Sequence, residues 1–130
     1  MKSLGRIALV TGGMGGIGTA ICQRLHKEGF KVIVGCSSDS ARKNEWAASQ
    51  LAAGYQFEFI YGDITDWEST RKAFEMAREQ FGAVDVLVNN AGITRDASFR
   101  KITPEDWNAV INTNLNGMFN TTKQVIEGML

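Results

Sequence analysis

Apolar residues recur along the 130-residue chain in two alternating rhythms. Four short runs rich in aliphatic and β-branched residues occupy residues 6–10, 31–36, 56–61 and 84–88. Ile7-Ala8-Leu9-Val10 and Val32-Ile33-Val34 are continuous rather than alternating, as expected of strands covered on both faces. Each of the first three runs leads into a helical spacing that stops at a glycine. After the first, Ile17, Ala20, Ile21 and Leu25 fall on one face and Gly29 closes the helix. A weaker helix is predicted over residues 42–53, ended by Gly54. After the third run, Thr65-x-x-Glu68 reads as a capping box, and Thr70, Ala73, Phe74, Ala77 and Phe81 form an apolar stripe ended by Gly82. The fourth run passes through a loop to Thr103-Pro104, an N-cap with proline at the first helical position. Trp107, Ile111, Leu115, Met118, Thr122, Ile126 and Met129 then share one side of a long helix.

Strand and helix alternating in steps of about 25 residues predict right-handed βαβ units. The expected architecture is α/β, a Rossmann-type doubly wound parallel sheet with strand order three-two-one-four. Ligands of such sheets bind at the carboxyl ends of the strands, where the chain order reverses. Residues 1–130 read as one domain without linker or low-complexity segment. The last helix reaches Gly128-Met129-Leu130 with apolar residues still on its inner face and no further strand. That suits the N-terminal portion of a longer protein, a complete small protein with a fraying terminal helix being the alternative. Strand four would then be an edge, and residues 84–88 carry no proline, lysine or arginine, so an isolated chain is expected to self-associate there.

Composition narrows the partners. A hydrophobic share of 44% with 22% charged residues is that of a soluble globular protein. Fourteen basic residues balance fourteen acidic ones, which argues against nucleic acid or an anionic membrane as partner. No run approaches the roughly 18 apolar residues of a membrane span. Met1-Lys2-Ser3-Leu4-Gly5-Arg6 leads directly into the first strand without a signal-peptide pattern. Cys22 and Cys36 read as reduced thiols of a cytoplasmic protein. No metal site is expected, because the single His26 has no CxxC, HxxH or carboxylate cluster beside it and reads as a solvated residue near a helix end.

Strand one runs into Thr11-Gly12-Gly13-Met14-Gly15-Gly16-Ile17-Gly18 and directly into the first helix. Gly12 allows a tight turn, Gly16 lets the backbone approach a pyrophosphate, and Gly18 permits close helix packing. The phosphates would meet free N–H groups and the positive end of the helix dipole. A plain βα turn needs one or two glycines, not five in seven positions. No Gly-Lys-Ser/Thr follows, so the loop is not a P-loop.

Thr11-Gly-x-x-x-Gly-x-Gly18 together with Asn89-Asn90-Ala91-Gly92 after strand four resembles the signature pair of the short-chain dehydrogenase/reductase family. Asp63 past strand three and Asn114 in Asn112-Thr113-Asn114-Leu115 agree with it. The resemblance runs through the whole chain but covers about half of a typical member, so the C-terminal strands of the family are missing. Residues 11–25 and 89–101 are most similar to the acetoacetyl-CoA reductases, and the 3-oxoacyl-[acyl-carrier-protein] reductases share much of the second stretch. The resemblance implies NADPH-dependent reduction of acetoacetyl-CoA, a 3-oxoacyl-CoA, to 3-hydroxybutyryl-CoA by a homotetrameric parent enzyme, as in polyhydroxybutyrate biosynthesis or fatty acid metabolism. It implies that Gly12, Gly13, Met14, Gly15, Gly16, Ile17 and Gly18 surround the pyrophosphate and adenosine ribose. Asp63 and Ile64 would meet the adenine, and Asn90, Ala91 and Gly92 the ribose on the nicotinamide side. From the residues alone, Asp63 reads as a capping or turn aspartate before Thr65, the cofactor contact being the alternative, and Asn89 and Asn90 read as turn formers.

Cofactor choice turns on the end of strand two. NAD-dependent enzymes place a carboxylate there for the adenosine 2′-hydroxyl, and NADP-dependent ones place basic and small residues for the phosphate. Gly35-Cys36-Ser37-Ser38 contains no acid. Asp39 lies at the distance of an NAD reader but in a serine-rich turn that suits a solvated cap, whereas Arg42 offers a fork matched to a phosphate. NADP with Ser38 and Arg42 is therefore expected over NAD. The chain departs from many NADP-preferring relatives in having Gly15 where they carry an arginine in the glycine loop.

The resemblance also implies a catalytic tyrosine, a lysine four residues later, a serine, and a helix asparagine that holds the lysine's water relay. Tyr55 and Tyr61 are followed four residues later by Phe59 and Thr65, so neither forms Tyr-x-x-x-Lys. Only the asparagine is present, as Asn114, and the chain alone is expected to be inactive. Spacing puts Asn114 on the edge of the Trp107, Ile111 and Met118 stripe, largely buried, where it could equally be a structural amide bonding the neighbouring strand. Asp96 resembles a substrate-contacting aspartate, while Arg95, Arg100 and Lys101 could meet coenzyme A phosphates or form a solvated charged loop. Three functions remain open: a reductase, a dinucleotide-binding module without catalysis, and a remnant that associates through its sheet edge.

Overall fold

The structure is a computed structural model that describes residues 5–130; the residues 1–4 read above for a leader pattern lie outside it. Four strands, β1 (Ile7–Thr11), β2 (Lys31–Cys36), β3 (Glu58–Tyr61) and β4 (Val86–Val88), pair in parallel in the order β3-β2-β1-β4. This is the predicted doubly wound α/β sheet. Leu9 lies beside Ile33 and Leu87 in register, and Val10 beside Val34 and Val88. The two sides of that pleat build two cores. Leu9, Ile33 and Ile60 meet Phe74 and Ala77 of α3 (Trp67–Phe81) and Val125 of α5 (Gly117–Met129). Val10, Val32 and Val34 meet Cys22 of α1 (Gly16–Lys27), with Trp46 of α2 (Ala41–Ala52) packed against them.

The strands begin or end within two residues of their predicted bounds, and Gly29, Gly54 and Gly82 follow the ends of the first three helices as expected. Three details differ. The N-cap of α3 is Asp66, whose Oδ2 accepts the Ser69 N–H at 2.8 Å, not Thr65. A carboxylate at the positive end of a helix is a stronger acceptor than a hydroxyl. Thr65 instead donates to Asp63 Oδ1 at 2.6 Å, and Glu68 pairs with Arg71. On α1 the buried face is Gly18 and Cys22, with Ile21 and Leu25 half-buried, while Ala20 is exposed and Ile17 is 74% exposed. The helix leans in on the side where Gly18 has no side chain.

The third difference concerns the long helix. It is interrupted between α4 (Pro104–Ile111) and α5 by a π turn over Asn112–Asn116. Trp107, Leu115, Met118 and Met129 of the predicted stripe are exposed, and the buried side carries Gly117, Asn120, Thr121 and Val125. The wide turn adds a residue, so an unbroken 3.6-residue count overruns the inner side. That side also faces loops whose backbone groups require polar partners. His26 is not simply solvated: its ring stands edge-on to Tyr55 and Phe57, centroids 5.3 and 5.8 Å away. Among the described residues no helix is long and apolar enough to cross a membrane.

Candidate functional site

The loops that leave the four strands converge at the carboxyl edge of the sheet around a cavity of about 740 Å³. The glycine loop forms one wall. Gly12 has φ +63°, and a Cβ there would lie 2.8 Å from the Cα of Ala91, so the loops after β1 and β4 touch backbone to backbone. Thr11 ties them: its hydroxyl accepts the N–H groups of Asn90 and Ala91, each at 3.0 Å. Asn90 returns the contact by donating its side-chain amide to the Gly12 carbonyl at 3.0 Å. At Gly18 a Cβ would strike the Gly12 carbonyl and Gly13 Cα, which lets α1 start directly behind the loop. At Gly16 a Cβ would meet nothing within 4 Å, so the loop's outer surface is open to the cavity.

Ser40, Asp66 and Thr103 cap α2, α3 and α4 with side-chain acceptors. α1 has no side-chain cap and no acidic residue in its first turn. Its leading N–H groups and dipole therefore present positive potential beside the cavity. On the neighbouring wall Arg42 reaches the cavity from the first turn of α2. That helix is held against α1 by Trp46 Nε1 donating to Thr19 Oγ1 at 3.1 Å and Gln23 Nε2 donating to Gln50 Oε1 at 2.9 Å. No ion-pair partner of Arg42 occurs among the described residues. Asp39 is drawn away to Lys43, 3.0 Å from its Nζ.

The third and fourth loops are gripped by the inner side of the long helix. Asn120 donates to the Ile64 carbonyl at 2.8 Å. Thr121 donates to Asn89 Oδ1 at 2.6 Å, and Asn89 donates to Thr122 at 3.1 Å. Asn114, in the π turn, takes both backbone groups of Ile93: its Oδ1 accepts the N–H at 2.8 Å and its Nδ2 donates to the carbonyl at 2.9 Å. Asn114 is half-buried rather than largely buried, and its amide bonds the loop after β4 and not a strand. Asp63 makes the bonds of a turn aspartate, accepting Thr65 N–H at 2.9 Å, while it also borders the cavity.

Of the residues singled out in the sequence, Gly12, Met14, Gly15, Gly16, Ile17, Gly18, Arg42, Asp63, Ile64, Asn90, Ala91 and Gly92 line this one cavity. Exposed Ile17 is explained by that position. Gly13 sits beneath the loop, where a Cβ would meet Cys22 Sγ and Val34 at 2.9 Å. Ser38 and Asp96 are exposed and outside the lining, as are Arg95, which faces Asp106 at 3.7 Å, Arg100 and Lys101. The loop-tying roles of Asn120 and Thr121 have no signal in the sequence, whereas Thr11 opens the glycine motif, and a hydroxyl at the last strand position before a glycine turn is its readable signal. Cys36 borders the cavity, but burial pushes its thiol up to about 11 despite the pull of Lys43. Burial, and then Cys36 itself, push Cys22 up to about 12. Both are free, protonated thiols at neutral pH and not nucleophiles.

The model of the short chain dehydrogenase family matches residues 6–130. An acetoacetyl-CoA reductase of Cupriavidus necator is 59% identical over 124 residues, 95% of this chain and 50% of the relative. A 3-oxoacyl-[acyl-carrier-protein] reductase of Salmonella typhimurium is 40% identical over 130 residues, 100% of this chain and 52% of the relative. The structure of a gluconate 5-dehydrogenase from Burkholderia cenocepacia J2315, solved with NADP and tartrate, superposes with a TM-score of 0.85 at 29% identity. That match covers 99% of this chain and 49% of the other. The chain thus spans about half the length of the curated relatives it matches.

Proposed function

The chain belongs to the short chain dehydrogenase family, and from that premise we propose that it supplies the cofactor half of an NADPH-dependent 3-oxoacyl-CoA reductase, acting on acetoacetyl-CoA. The observation that carries the cofactor reading is Arg42: a cation without an ion-pair partner among the described residues, at a cavity whose neighbouring wall is a helix start without a side-chain cap behind a glycine loop. Both donate hydrogen bonds to phosphate oxygens, one through a charge-assisted fork and the other through backbone N–H groups. The substrate reading rests on the acetoacetyl-CoA reductase likeness, 59% identical against 40% for the acyl-carrier-protein reductase.

The residues present fit a dinucleotide. In this reading the loop from Gly12 to Gly18 holds the pyrophosphate, with Gly16 leaving room for the close approach. Arg42, with Ser38 in the adjoining turn, takes the 2′-phosphate. Asp63 and Ile64 border the adenine, and Asn90, Ala91 and Gly92 the second ribose. The bound cofactor supplies the hydride. Asn114 orients the loop after β4 through Ile93, and Asp96 meets substrate once the cleft is complete. Tyr55 and Tyr61 are outside the cavity lining and pack among the aromatic residues of the α1 and α2 side, so neither stands where it could donate a proton in the cavity. The longer protein is read as a cytoplasmic homotetramer; exposed Trp107 of α4, Leu115 of the π turn, and Met118 and Phe119 of α5 support an apolar contact.

Arg42→Ala tests the cofactor reading. NADPH affinity should fall at least about tenfold while NADH affinity is nearly unchanged, because only the former loses a charge-assisted contact. Equal losses for both cofactors, measured by fluorescence titration, would remove Arg42 from the phosphate site.

A further inference from the structure

Asp39 is the acidic residue that stands where an NAD-dependent protein would read the 2′-hydroxyl, yet it does not line the cavity, while Arg42 three residues later does. Lys43 accounts for the difference. Its Nζ pairs with Asp39 Oδ1 at 3.0 Å, and its side chain is only 11% exposed. The same ammonium stands over two aromatic rings of the edge strand β3, 4.9 Å from the centroid of Phe59 and 5.5 Å from that of Tyr61. An ammonium held over two rings on a side chain with so little exposure has one favourable resting place. Asp39, 62% exposed and otherwise free to turn, is fastened to that place.

We infer that Lys43 is a specificity-positioning residue: by fastening Asp39 to the aromatic edge of β3 it keeps a carboxylate out of the 2′ region and leaves Arg42 unpaired there. The two adjacent cations divide the work, one holding the acid and one facing the cavity. Without Lys43 the carboxylate can pair with Arg42 or accept the ribose hydroxyl of NADH, and either outcome narrows the preference for the phosphorylated cofactor. A like charge beside the 2′-phosphate also opposes NADPH directly. The inference rests on the reading of Arg42 as the phosphate partner.

The test is a set of dissociation constants for NADPH and NADH, each obtained by titration of the purified protein. Lys43→Gln should narrow the NADPH:NADH preference by about tenfold, Lys43→Arg should keep it, and Lys43→Gln combined with Asp39→Asn should restore it. A purely structural role for Lys43 would weaken both cofactors together and leave their ratio alone. An unchanged ratio in Lys43→Gln, or a narrowed ratio that Asp39→Asn does not restore, overturns the inference. Asp39→Asn alone tests it even if Lys43 variants fold poorly: NADH affinity should be unaltered, and a loss would mean that Asp39 already reads the ribose. Failure of the underlying reading shows separately, as equal affinity of the unmutated protein for both cofactors.

Discussion

Replacing Gly18 by alanine isolates what the glycine loop does for the fold. The added Cβ would sit against the Gly12 carbonyl, 2.7 Å from Gly13 Cα and 2.8 Å from Asn90 Nδ2. Two of these are backbone atoms of the tight turn and cannot swing aside. Either α1 tilts away from the loop or the loop moves toward the cavity, and both disturb the 3.0 Å bond from Asn90 to Gly12. Overpacking of this kind costs about 1–3 kcal/mol. A strained hydrogen bond adds about 1 kcal/mol, and alanine in a helix returns about 1 kcal/mol relative to glycine. The net expectation is a loss of about 2 kcal/mol, roughly a 30-fold shift in the folding equilibrium. Gly16→Ala is the control, since its Cβ meets nothing within 4 Å. It should fold at least as stably as the parent while binding NADPH more weakly, if the phosphates approach there. Urea unfolding followed by circular dichroism gives the stabilities, and fluorescence titration the affinities. A Gly18→Ala variant with an unchanged unfolding midpoint and slope would refute the packing argument; unimpaired NADPH binding by Gly16→Ala would refute the approach.

Thr11→Val preserves shape but removes the acceptor of two loop amides, and should cost about 2 kcal/mol in thermal or urea unfolding; no loss would mean that water replaces the hydroxyl freely. The 130-residue chain mixed with NADPH and acetoacetyl-CoA should give no oxidation at 340 nm above background, since it carries no Tyr-x-x-x-Lys; turnover would mean that another group supplies the proton. Cys22 and Cys36 are both raised above their ordinary 9.0 in the fold, to about 12 and about 11. The unfolded chain therefore gives up these protons first, so stability should be level with respect to the thiols below about pH 9 and fall as pH rises from there toward 11–12. A Cys22→Ser/Cys36→Ser variant should lose that slope, and a thiol reagent at pH 8 should label neither cysteine until urea is added.

The sheet was legible because its strands are continuous apolar runs at even spacing, and the cavity because glycines outside element interiors have few purposes. The long helix was misread for a physical reason. A π turn leaves no compositional mark in Asn112-Thr113-Asn114-Leu115-Asn116, and the side it turns inward is polar because it bonds to loops. Apolarity alone therefore pointed to the wrong side. The cap of α3 was missed by one residue because Thr65 and Asp66 are both competent caps, and only the competing bond to Asp63 separates them. The i,i+4 spacing of Asp39 and Lys43 is readable in the sequence, but the rings of Phe59 and Tyr61 that hold Lys43 are brought to it only by β3.

The asparagines of the long helix change how the cavity's rim should breathe. Ile93 gives both its N–H and its carbonyl to Asn114, and Ile64 gives its carbonyl to Asn120, so two loops that belong to different strands are latched to one rod. Their opening is then a property of that rod and not of each loop. In a native-state exchange experiment the amide of Ile93 should trade its proton at the pace of the α4–α5 backbone, orders of magnitude behind the neighbouring exposed residues 94–100. Asn114→Ala would uncouple the two clocks, leaving the helix slow and Ile93 fast.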